Sequence, residues 1–173
     1  MPKIIENLKE RLLLEAAQQL EQGGYEAVTI RSIAKGCGVG VGTVYNYFPS
    51  KEALIATYLL EDWQKRVAII VHTADQAEVP KPVLQCIYEQ LVNFARCHQA
   101  VFRAEEAAAS FAGSFSQYHD LLRSQLADPL CRFCSSDFEA QFIAESLLTW
   151  SMKGKRCFRP YREADTRPER RRD

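Results

Sequence analysis

Residues 29–54, TIRSIAKGCGVGVGTVYNYFPSKEAL, constrain what this chain can fold into more than any other stretch. Thr29 is a good helix N-cap, because its hydroxyl can accept a hydrogen bond from a backbone N–H that has no partner inside the helix. Ile30, Ile33 and Ala34 then share one face, which predicts a short helix over 30–37 that stops at Cys37-Gly38. A second short helix is expected at about 41–47, ended by Pro49-Ser50. Helix, glycine-bearing turn, short helix is a helix-turn-helix, a geometry that places its second helix in the major groove of double-stranded DNA.

The residue types within this stretch suit that placement. Gly40, Val41, Gly42 and Thr43 open the second short helix with small side chains, so a helix end can come close to a duplex. Two glycines there cost up to ~1 kcal/mol each in helix stability, which a purely structural helix seldom carries. Tyr45, Asn46 and Tyr47 bring hydroxyl and amide groups, while Val44 and Phe48 must face inward with Ile33 and Leu54. Tyr45 has a second reading, as an aromatic packed between helices. Arg31 and Lys35 are the only charged residues between 27 and 50, and Lys51 adds a third cation. Lys51 also reads as an ordinary solvated charge at a helix start.

This local charge matters because the whole chain has none. Lys+Arg and Asp+Glu number 22 each, for a formal net charge of zero. A zero balance ordinarily argues against a nucleic-acid binder. The balance is uneven, however: residues 1–152 carry 13 basic and 18 acidic groups, and residues 153–173 carry 9 and 4. The positive face of 27–51 therefore stands against an acidic remainder, and the basic tail neutralises the total.

Around the motif the chain reads as helix throughout. Ile5, Leu8, Leu12, Leu13, Ala16, Ala17 and Leu20 repeat at helical spacing over 4–22, with Gly23-Gly24 as the stop. Ser50 can cap a long helix over about 51–73, and Pro82 suits the start of another over 82–98. Residues 99–112 form an Ala-rich helical stretch broken at Gly113-Ser114, followed by 115–127. Asp128-Pro129 reads as a cap with a first-turn proline, or as a kink, and Ser135-Ser136-Asp137 opens a last helix over 138–152. The 153–173 segment has no apolar period and two prolines, and is expected to be a poorly ordered tail. With 173 residues and 47% hydrophobic content, the chain has enough apolar material for a real core. The expected fold is all-α, with a 1–50 helix-turn-helix domain joined by the long helix to a 51–152 helical domain.

Other classes find little support. The longest aliphatic run, 67–71, is far short of the ~20 residues that span a bilayer. Charges interrupt the apolar pattern near the N-terminus, so a signal peptide is not expected, and the expected compartment is the cytoplasm. In that reducing setting the six cysteines are expected as thiols. No GxSxG, HExxH, Walker loop or dinucleotide fingerprint occurs, so no enzyme is expected. His72, His98 and His119 have no ligand-like spacing, and neither a metal nor a cofactor is expected. Cys131-x-x-Cys134 is the one redox-like pattern, and it reads either as buried thiols or as a pair able to form a disulfide.

The run GxGTVYNYFPSKEAL resembles the signature of the TetR family of bacterial transcriptional repressors, and the resemblance extends over about residues 5–60. It implies that Thr29 and Arg31 face phosphates, that Gly42 and Thr43 sit against DNA, that Tyr45 and Asn46 reach base edges or phosphates, and that Tyr47 and Lys51 clamp the backbone. Asn46 and Val41 depart from the family pattern, which often has an aromatic at the first position and a polar residue at the second. A valine there suits contact with a thymine methyl. For the 51–152 domain the resemblance implies a cavity for a small-molecule effector, and the aromatic-rich middle helices offer Tyr58, Trp63, Phe94, His98, Phe102, Phe111, Phe115 and Tyr118. The same aromatics are also natural core residues.

One short recognition helix reads too few base pairs for a unique site, so a homodimer on an inverted-repeat operator is expected. The segments 115–134 and 138–152 are the candidates for its four-helix interface. The expected function is a repressor released by its effector. The alternative is a thiol-redox-switched DNA-binding sensor that uses Cys131 and Cys134.

Overall fold

Glycines and hydroxyls set the helix ends in the first third of the molecule, a computed structural model that describes residues 7–111 and 115–152. Helix α1 (Leu8–Ala27) is interrupted at Gly24, whose φ of 75° and ψ of −176° leave the helical region. The first helical run thus breaks at Gly23-Gly24 as expected, and a short turn resumes beyond it. Buried Tyr25 anchors one further turn, and its carbonyl accepts from Val28 N–H. Helix α2 (Ile30–Cys37) begins where expected: Thr29 Oγ1 accepts from Ser32 N–H at 3.0 Å, and Ser32 Oγ accepts from Thr29 N–H at 3.0 Å. It ends at Gly38, held at φ 67°, a backbone conformation that glycine adopts without strain. Helix α3 (Val41–Tyr45) follows the turn. Ser50 Oγ accepts from Ala53 N–H at 3.2 Å and caps α4 (Lys51–Gln76), whose 26 residues extend about 39 Å at 1.5 Å each.

Helix α5 (Pro80–Cys97) starts two residues before the expected Pro82, because Pro80 too occupies the first turn, where no donor is needed. The expected single helix over 99–112 is two: α6 (Gln99–Phe102) and α7 (Glu105–Phe111). Buried His98, at φ −105° and ψ 18°, separates α5 from α6. Helix α8 (Phe115–Ala127) runs into a 3₁₀ turn (Asp128–Phe133), with Pro129 near its start, and α9 (Asp137–Met152) ends the described chain. Ser136 Oγ accepts from Glu139 N–H at 3.3 Å, so the expected cap signal is in place. The Gly113-Ser114 break, the first residues of the 4–22 pattern and the 153–173 tail lie outside the described residues.

Two apolar cores result. One gathers α1, α2, α3 and the start of α4 around Leu12, Tyr25, Ile33, Val44, Phe48, Leu54 and Ile55, and it takes in Val101 of α6 and Ala107 of α7. The other joins the rest of α4 to α5, α8, the 3₁₀ turn and α9 around Trp63, Ile70, Ile87, Leu126, Leu130 and Leu148. Leu59 touches both. Arg132 ties the far end of α4 in place by donating to the carbonyls of Ala74 at 2.8 Å and Ala77 at 2.7 Å, a cation on the helix C-terminus. Among the described residues every regular element is helical, and no helix is long and apolar enough to cross a membrane.

Candidate functional site

The helix-turn-helix divides its side chains cleanly between core and solvent. Ile33, Ala34, Val44, Phe48 and Leu54 are buried, which fixes the angle between α2 and α3. Helix α3 buries only Val44, and Val41, Gly42 and Tyr45 are turned outward. Tyr45 is 51% exposed and Tyr47 45%, so neither phenol is packed between helices. Val41, Gly42 and Asn46 are exposed beside them, Thr43 is half-buried, and Arg31 and Lys35 are exposed on α2. This face can donate and accept hydrogen bonds and carries positive charge. A Cβ placed on Gly42 would meet nothing within 4 Å, so packing inside the chain does not require glycine there.

Thr29 and Lys51 differ from the rest of the set. The Thr29 hydroxyl is occupied by its cap and by a 3.1 Å bond to Ser32 Oγ. Lys51 has a side chain only 14% exposed. Its Nζ lies 3.9 Å from the centroid of the Tyr25 ring and 3.4 Å from Glu106 Oε1 on α7.

Five of the eight expected aromatic-region residues come together where α4, α5 and α6 meet. The His98 ring is 4.7 Å from Phe94, 5.1 Å from Tyr58 and 6.5 Å from Phe102, centroid to centroid, and Trp63 is 5.3 Å from Phe94. Phe111 packs instead against the first core, Tyr118 is half-buried on α8, and the Phe115 side chain lies outside the described residues. The cluster also has a polar centre that the sequence reading missed. His98 Nε2 donates to Asp62 Oδ2 at 2.8 Å, and Arg66 Nε donates to the same oxygen at 2.8 Å. Arg66 also lies over the Phe94 ring at 5.7 Å, and Trp63 Nε1 donates to Gln125 Oε1 at 2.8 Å. The available signal was the i,i+4 spacing of Asp62 and Arg66 beside Trp63 on one long helix.

Burial pushes the His98 pKa below its ordinary value and outweighs the attraction of Asp62, so the imidazole is neutral and donates through Nε2–H. Burial alone would raise the Asp62 carboxyl, but the bonds from His98 and Arg66 outweigh it and hold the group below the usual range. Burial, with Asp62 nearby, raises the Tyr58 phenol. Tyr58 and Asp62 also line a surface cleft of about 280 Å³ between α1 and α4, together with Glu10, Leu13, Leu14, Glu61 and Lys65.

Cys131 lies in the 3₁₀ turn and is exposed, Cys134 follows the turn and is half-buried, and both are free thiols. Burial followed by Asp137 and Asp128 raises the Cys131 pKa, and burial followed by Glu139 raises that of Cys134. Both environments favour the protonated, less nucleophilic form. On the outer side of α9, Phe138 is 79% exposed and Phe142 63% exposed, with their rings stacked at 6.4 Å. Trp150 on α9 and Leu121 on α8 are exposed as well.

Residues 12–58 match the family model for bacterial regulatory proteins, tetR family. The HTH-type transcriptional regulator YuxN of Bacillus subtilis is 34% identical over 90 residues, covering 49% of this chain and 31% of that protein. The chain thus spans about a third of that curated relative. The TetR family repressor AlkX from Dietzia, implicated in biodegradation of n-alkanes, has a similar fold, with a TM-score of 0.61 and 16% identity over 87% of this chain and 86% of its own. The regulator FadR from Bacillus subtilis in complex with stearoyl-CoA gives 0.53 and 17% identity over 83% of this chain and 87% of its own. Residues 12–58 thus resemble the tetR family of bacterial regulatory proteins in sequence, and the fold around them is similar to that of a TetR family repressor.

Proposed function

We propose that this protein is a transcriptional repressor that binds an inverted-repeat DNA operator as a homodimer and is released by a small-molecule effector. The observation that carries the reading is the outer face of α3. Val41, Gly42, Tyr45, Asn46 and Tyr47 are turned to solvent while Val44 alone is buried, and the Gly42 position has no packing reason to be glycine. A duplex pressed against that helix supplies the reason. In this reading Tyr45, Asn46, Gly42, Thr43 and Val41 meet the groove. Arg31, Tyr47 and Lys51 meet phosphates, and Thr29 contributes by holding the start of α2.

The stacked, exposed Phe138 and Phe142, with Trp150 and Leu121, support pairing of α8 and α9 with a second copy. Exposed aromatics at this density otherwise mark a surface that lacks its partner. The effector region in this reading is the cluster of Tyr58, Trp63, Phe94, His98 and Phe102, whose rings suit an apolar or planar molecule once they part to admit it. The stearoyl-CoA complex of FadR supports an effector with a long apolar part. Effector binding favours a dimer whose recognition helices no longer match successive grooves. A coupling of about 1–3 kcal/mol changes operator affinity about 5–150-fold. Regulation without catalysis, in the cytoplasm, completes the reading. A thiol switch at Cys131 and Cys134 gains no support from two thiols whose surroundings keep them protonated.

Selection of bound fragments from random duplex DNA tests the proposal. Enrichment of an inverted repeat bound by two chains is the expected result. Recovery of no common sequence, with binding that depends on salt alone, would remove the operator reading.

A further inference from the structure

Lys51 is the cation that the DNA-binding reading needs next to α3, yet a carboxylate already faces it. Glu106 Oε1 lies 3.4 Å from Lys51 Nζ, across 55 positions of sequence. The lysine is confined on its other side by the Tyr25 ring, 3.9 Å from Nζ to the centroid. Glu106 is not on a loose segment. The next residue, Ala107, is buried in the core of the DNA-binding helices, and Val101, Ala104 and Phe111 pack on that core from the same stretch. Burial of Ala107 fixes the backbone at Glu106, whose side chain stays 52% exposed beside Lys51.

From this geometry we infer that Glu106 is an affinity-setting residue, which competes with a DNA phosphate for Lys51. The inference rests on the reading of Lys51 as a phosphate contact. A phosphate approaching Lys51 meets an ammonium already neutralised and a carboxylate that repels it. DNA binding therefore requires the pair to open, or proceeds with one phosphate contact per subunit weakened. The stretch that carries Glu106 begins at His98 and Phe102, inside the aromatic cluster. Repacking of that cluster shifts α6 and α7 together, and with them the carboxylate that faces Lys51. Glu106 is thus the chemical end of the path from effector to DNA.

The test measures affinity for the duplex selected by the protein's own binding, across a salt series, in the full chain. Glu106→Gln is expected to bind about two- to five-fold more tightly, the range of a partly exposed ion pair, with a steeper salt dependence. Lys51→Met is expected to bind more weakly, and the double variant to match Lys51→Met, because the glutamate has nothing left to mask. An unchanged Glu106→Gln beside a weakened Lys51→Met overturns the inference and leaves the lysine contact standing. An equal gain from Glu106→Gln with and without Lys51 overturns it too, since that is a general charge effect. An unchanged Lys51→Met removes the phosphate reading of Lys51 itself. Thermal melting of each variant checks that α7 remains docked.

Discussion

His98 donates from Nε2 to Asp62 Oδ2 across 2.8 Å, and this bond joins the middle of the long helix α4 to the point where α5 gives way to α6. It lies among four aromatic rings at the junction of the two cores, so a change there reaches both α4 and the α6–α7 stretch packed on the DNA-binding helices.

This pair predicts a pH dependence of stability. The folded pKa values of His98 and Asp62 both lie below their ordinary values, so the folded state binds fewer protons than the unfolded chain. The stability from His98 is complete above about pH 6.5 and is lost as pH falls through its depressed folded value. Asp62 adds a further loss below about pH 4. Urea midpoints should hold level from pH 8 to about 6.5 and fall from there to pH 3, and His98→Leu should remove the first part of the fall. A flat profile in the native chain would contradict the buried neutral imidazole.

Trp63 predicts a large packing effect. Its ring is buried against Phe94, and its indole N–H is bonded to Gln125. Trp63→Ala should cost about 3–5 kcal/mol in unfolding free energy. A loss below about 1 kcal/mol in urea titration would show that this core is not packed as described.

The outer face of α9 predicts a separable effect on assembly. Phe138 and Phe142 are exposed in the single chain, so Phe138→Glu with Phe142→Glu should leave helix content unchanged. Sedimentation should shift from dimer to monomer, and operator binding should weaken with it. A variant that stays dimeric would place the interface elsewhere.

On the DNA face, Tyr47→Phe combined with Lys51→Ala should weaken binding to every sequence and flatten its salt dependence, as loss of phosphate contacts does. An unchanged salt slope would count against these two residues as phosphate contacts.

The parts of this structure that were legible in the sequence are those governed by neighbouring residues. Thr29, Gly38 and Ser50 act on the backbone within four residues, and α2, α3 and the start of α4 lie where such signals put them. The inward set Ile33, Val44, Phe48 and Leu54 followed from helical spacing in the same way. The division of 99–112 into α6 and α7 did not, because it falls at Arg103-Ala104, where no glycine, proline or capping hydroxyl marks a break. Lys51 and Glu106 are 55 positions apart, and no local pattern links them. Asp62 and Arg66 are spaced like any surface pair on a helix, and only the bond from His98, 36 positions beyond Asp62, sets them apart.

The most direct test of the account is Gly42→Ala, measured for melting and for operator binding in the same preparation. The added methyl meets nothing within 4 Å inside the chain, and alanine favours a helix over glycine. The account predicts a melting temperature that is unchanged or raised, with operator affinity reduced at least about tenfold because the methyl meets DNA. Unchanged affinity in a stable variant would contradict it: the first turn of α3 would not then lie against a duplex.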